Sequence, residues 1–194
     1  MTDGPFDRTL TPADPEPADG GSLADEQQVS PGLHPALEHL AFLVGTWRGV
    51  GVVGYPTIEG SNYEQEVVFA HDGRPFLSYA SRSWLIDPAG ERVRPAASEV
   101  GWWRPGASAY DVEVLLAHHT GVVEVYVGNV AFSRVELVTD VVARTETAKE
   151  VNGMKRLYGL VGDEPRDLAY AIDMAAVGQP LQSHLSARLA KVTS

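Results

Sequence analysis

The chain has 194 residues, with 15 Lys+Arg against 26 Asp+Glu, for a formal charge of −11. This length suits one domain with a sizeable core, and the absence of cysteine excludes disulfides, thiolate metal sites, iron–sulfur clusters and a Cys nucleophile. The acidic balance argues against nucleic acid or a membrane surface as partner, since both need clustered Lys/Arg. No uncharged apolar run approaches a membrane span. The N-terminus carries acids where a signal peptide has bases, so a cytoplasmic location is expected.

Residues 1–30 hold seven acids, the single base Arg8, four prolines and Gly20-Gly21, with almost no aliphatic periodicity. Such a segment buries too little apolar surface to offset the entropy of ordering it, and reads as a disordered acidic leader. The ordered domain is assigned to residues 31–194. Pro35 to Val44 opens with proline at a plausible first helical position and puts Leu37, Leu40, Leu43 and Val44 on one face, which predicts a short helix.

After Gly45 the period changes to two. Gly45, Trp47, Gly49, Gly51, Val53 and Tyr55 share one face of a strand, and Tyr63, Gln65, Val67 and Phe69 alternate in the next. Strand-like runs follow at 75–85, 98–104, 110–118, 122–132, 135–145, 154–161 and 168–176, separated by turn signals such as Asp72-Gly73, Thr120-Gly121 and Asn152-Gly153. Regular spacing without intervening amphipathic helices indicates an all-β antiparallel up-and-down meander, which removes its exposed edges by closing into a barrel. Gly49 and Gly51 either permit a sharp barrel bend or leave a flat area for something to lie against. Trp47 is placed as a plug at one barrel end.

Six histidines are present, none at zinc-site spacing. His34 and His39 are expected at the surface of the helix, and His71, His118 and His119 beside turns. A single histidine can still serve as the one protein ligand of a haem iron.

GTWRGVGVVGYPTI (45–58), YEQEVVFAHDGRPFLSY, AHHTGVVEVYVG, TAKEV and MAAVGQPLQSHLSARL together closely resemble the nitrobindins, from about Leu37 to Leu189. The chain departs from that family at Val53, where many members have glycine, at Gln65-Glu66 and in the acidic leader. The resemblance implies a barrel of about ten strands that holds haem b on one axial histidine. It also implies peroxynitrite isomerase activity at a five-coordinate ferric iron and reversible nitric oxide binding. Carried over by motif, His184 of QPLQSHL is the iron ligand, while Thr57 of YPT and Lys149 of AKE lie close to the haem. The barrel alone also suits an intracellular carrier of a fatty acid or other apolar ligand.

The final segment supports two local readings. Leu181, Leu185 and Leu189 fit a helical stripe, and Leu181, Ser183, Leu185, Ala187 and Leu189 also alternate. As a strand it would face His184 away from the leucines, so a bulge after Gly178-Gln179-Pro180 is needed to aim the ring inward. His118 or His119 could approach the open side of the iron; without that, each is a turn histidine.

Overall fold

A computed structural model describes residues 31–164 and 166–193; the expected acidic leader lies outside them. A 3-10 helix, η1 (Pro35–Leu43), leads into ten strands: β1 (Gly45–Tyr55), β2 (Ile58–Ala70), β3 (Leu77–Ile86), β4 (Arg92–Pro105) and β5 (Asp111–His118). They continue as β6 (Val122–Ala131), β7 (Arg134–Arg144), β8 (Val151–Val161), β9 (Asp167–Ala176) and β10 (Gln182–Lys191). Each strand pairs antiparallel with its sequence neighbours, and β1 pairs with β10, so the sheet closes into an up-and-down barrel without edges.

The helix is tighter than an α-helix because its buried residues, Leu37, Leu40 and Leu43, recur at every third position, the repeat of a 3-10 turn. The His34 ring caps it, accepting from the Ala36 N–H at 3.2 Å. The three leucines pack with Trp47, Phe69, Leu77 and Trp103 into a fully apolar plug, and the Trp47 indole donates to the Leu43 carbonyl at 2.7 Å. Trp47 therefore closes one end of the barrel, as its position in the sequence suggests.

Of the two roles open to the glycines, the structure assigns construction. A Cβ on Gly51 would lie 2.5 Å from the Tyr63 ring and would overlap the Ser186 carbonyl. Its bare face is filled by neighbouring chain rather than left flat. The Tyr63 ring and the β10 backbone occupy the space beside this glycine.

The odd-numbered strands end and the even-numbered strands begin at the opposite rim, which is built from the turns after β1, β3, β5, β7 and β9. Here the interior opens. Among the described residues no helix is long and apolar enough to cross a membrane.

Candidate functional site

Behind that rim lies a cavity of about 610 Å³, within the range of roughly 300–1,000 Å³ typical of small-molecule and cofactor sites. Much of its wall is aliphatic, with Val53, Leu85, Val122, Met154, Ile172 and Leu185 among the lining residues. His184, Thr57 and Lys149 all line it, although they come from β10, the β1–β2 turn and the β7–β8 connection. Thr57 and Lys149 are exposed at the rim; His184 is half-buried.

The bulge that inward aim requires is present, at the histidine itself. Ser183 pairs with Asp173 and Leu185 with Ile172, so two steps on β10 oppose one on β9, and His184 is the extra residue. β1 holds the ring from the side. The His184 Nδ1 lies 3.2 Å from the Gly54 carbonyl oxygen, and because a carbonyl only accepts, Nδ1 carries the hydrogen and Nε2 is bare. Among the described residues Nε2 has no hydrogen-bond partner.

The Tyr55 ring meets the imidazole edge-on, with centroids 5.5 Å apart. Its hydroxyl accepts from the Ala176 N–H at 3.0 Å, which ties the tip of β1 to the end of β9. Burial pushes the His184 imidazole below its ordinary pKa; the charge of Arg156 adds to that, and the bond to Gly54 opposes it. The ring is held neutral, the form that can bind a metal.

Deeper in the barrel lies a polar network that the motifs do not reveal. Arg156 on β8 is 3 % exposed, and Glu124 on β6 is fully buried. All five guanidinium donors are engaged. Nε donates to the Tyr126 hydroxyl at 2.8 Å. One terminal nitrogen donates to Glu99 at 3.2 Å and to the Tyr158 hydroxyl at 3.3 Å, and the other to Glu99 at 2.8 Å and Glu124 at 3.3 Å.

Burial raises both carboxyl groups, and this is outweighed. The Arg156 charge and hydrogen bonds hold Glu99 below its ordinary value; the bond from His118 and the charge of Arg156 do the same for Glu124. His118 lines the cavity with its Nε2 3.0 Å from Glu124 and 3.7 Å from Glu99. His119 turns away to Ser98, 3.2 Å from its backbone N–H. The sequence signal for the network was available, since Glu124 and Arg156 occupy inward positions of alternating strands.

The helix histidines are not at the surface as expected: His34 is half-buried. So is His39, its Nε2 sealed and without a partner among the described residues, and burial lowers its pKa. His71 lies beside its turn as expected, half-buried with its Nδ1 sealed. None of the three lines the cavity.

A closed ten-stranded barrel, packed solid at one end and open to a lined cavity at the other, is a β-barrel of the small-ligand-binding class. The model of the THAP4-like, heme-binding beta-barrel domain matches residues 36–191, and the chain belongs to that family, the nitrobindins. It is 55% identical over 159 residues to a protein of Nocardioides sp. named peroxynitrite isomerase, covering 82% of this chain and 94% of that one. A protein of the same name from Frankia casuarinae is 50% identical over 182 residues, 91% of this chain and 96% of the relative. A ferric nitrobindin-like protein of Thermobifida fusca is 44% identical over 171 residues, 82% and 96% of the two chains. The crystal structure of Rv2717c from M. tuberculosis superposes with a TM-score of 0.74 at 40% identity, covering 84% of this chain and all of that one.

Proposed function

We propose that this chain isomerises peroxynitrite to nitrate at a haem b bound in the rim cavity, with His184 as the axial ligand. The observation that carries the reading is the His184 ring itself: inward-facing on a bulge, locked through Nδ1 by the Gly54 carbonyl, and presenting a bare Nε2 to the cavity. Metal-bound histidines characteristically have their second nitrogen fixed in this way. The surroundings fit the group: the aliphatic walls suit a porphyrin, and the Thr57 hydroxyl and the Lys149 ammonium stand at the rim as donors for its carboxylates.

When bound, a ferric haem supplies a Lewis-acid coordination position that weakens the O–O bond of a peroxide anion. The chain's own contribution is to hold one imidazole in one tautomer, to keep it neutral, and to wall the site with apolar side chains. Reversible nitric oxide binding at the same site and a location in the cytoplasm belong to this reading. The names of the Nocardioides and Frankia relatives support the activity.

The carrier reading meets a specific obstacle. A fatty-acid carboxylate needs a free cationic donor inside the barrel, yet every donor of Arg156 is taken and two carboxylates surround it. The test is stopped-flow decay of peroxynitrite. Haem-loaded protein should speed the decay in proportion to its concentration and direct the product to nitrate, whereas apoprotein should do neither. Equal decay with both forms would reject the proposal.

A further inference from the structure

The cavity histidine His118 has no role in the reading so far, and its placement is specific. β5 is the fifth neighbour of β10 in both directions around the barrel, so His118 and His184 stand on diametrically opposite walls. His118 is the last residue of β5 and His184 the third of β10, which puts both at the same rim. Both line the same cavity.

The His118 Nε2 meets Glu124 Oε2 at 3.0 Å. Glu124 as a carboxylate can only accept, so Nε2 is the protonated nitrogen and Nδ1 has the free lone pair. Among the described residues Nδ1 has no hydrogen-bond partner and is not one of the sealed side-chain atoms. The charged groups that meet the ring are Glu124 from β6 and Glu99 from β4; Tyr126 from β6 and Arg156 from β8 in turn donate to Glu124. Two carboxylates oppose one guanidinium. Glu124 is fully buried, and its second oxygen has no partner among the described residues. A carboxylate on one ring nitrogen orients the imidazole and leaves the other nitrogen free to accept a proton.

We propose that His118 is the proton acceptor of this cavity: tethered to Glu124 through Nε2, it takes on Nδ1 the proton of a weak acid that enters opposite His184. The inference rests on the reading of the cavity as a haem site. Peroxynitrite coexists with its acid form, whose single proton nitrate does not keep, so isomerisation of the acid releases one proton. The O–H bond breaks, its electron pair stays on oxygen, and the proton goes to the Nδ1 lone pair. The imidazolium then returns it to water at the rim. No electrons are exchanged with the protein.

Hydrogen cyanide, a weak acid that must lose its proton to bind ferric iron, tests this in haem-loaded full-length protein. Nitric oxide, which carries no proton, is the control. His118→Gln keeps an N–H for Glu124 but has no basic nitrogen. Cyanide association should slow by about 100-fold in this variant, with nitric oxide association unchanged. Unchanged cyanide kinetics would overturn the proposal, and so would equal slowing of both ligands, which would mark a change of access.

Two measurements on the unmutated chain stand even if the variant does not fold. Cyanide association should be slower in D2O than in H2O, and equal rates would count against a proton acceptor. In apoprotein, ¹⁵N shifts of the His118 ring should report the Nε2-protonated tautomer; the opposite tautomer leaves no lone pair on Nδ1 and ends the idea. A wild-type chain that takes up no haem defeats the reading of the site, whereas a haem-loaded His118→Gln with wild-type cyanide kinetics defeats the proton acceptor alone.

Discussion

Arg156 shows at the scale of one residue how the barrel tolerates buried charge. Removing a guanidinium from water costs several kcal/mol, and here five hydrogen bonds donated to Glu99, Glu124, Tyr126 and Tyr158 offset that cost. The consequence is a dependence on acid. Both carboxyl groups lie below the ordinary glutamate value of 4.5 in the folded chain, held down against burial chiefly by Arg156 and His118. Their contribution to stability is therefore fully present above about pH 4.5 and is lost as the pH falls through the folded-state values. Urea midpoints should hold steady from pH 7 to 5 and drop below 4.5, and a midpoint that stays level down to pH 4 would contradict this. His184, Thr57 and Lys149 were legible because each sits in a short motif, QPLQSHL, YPT or AKE. The Gly54 carbonyl was not, because a backbone acceptor leaves no mark in the side-chain sequence. Glu124 and Arg156 were half legible: strand alternation turns them inward, but which carboxylate meets which guanidinium is decided by strands that pair far apart in sequence.

The decisive element is β10. The helical and the extended readings of this segment shared the same leucines, and pairing on both flanks, with β1 and β9, selects the strand. Its bulge turns the histidine to the face that simple alternation would deny it. Deleting Ser183 should remove the irregularity, restore plain alternation and send His184 to the outside. Such a protein is expected to keep its β-type circular dichroism and to bind no haem; retention of haem at wild-type affinity would show that the bulge does not aim the ring. The other elements followed their sequence period closely, with two informative exceptions. η1 is a 3-10 helix because its leucines recur at three rather than at a mixture of three and four. β4 begins at Arg92, earlier than the run 98–104 suggests, because Pro95 and the irregular register opposite Trp84 and Ile86 disguise its alternation.

The molecule as a whole divides its interior by height. One end is filled by Leu37, Leu40, Leu43, Trp47, Phe69 and Trp103, and the other is left open over Tyr55, His184 and the Arg156 network. The solid end supports the fold, so the open end can carry bare donors and acceptors that a packed core would have to satisfy. Barrel closure also explains why residues 57, 149 and 184 share one cavity, since the turns after β1, β7 and β9 all lie at the same rim. This was legible from the regular strand spacing, while the depth at which packing gives way to cavity was not. It depends on where large side chains such as Trp103 and Tyr158 meet across the barrel. The account stands on one bond, from the His184 imidazole to a haem iron. Titration of haemin into the wild type and His184→Ala, followed in the Soret region alongside thermal unfolding, tests it most directly. One haem per chain with a sharp Soret band is predicted for the wild type, and no saturable band for the equally folded variant. An alanine variant with the wild-type spectrum and affinity would contradict the account.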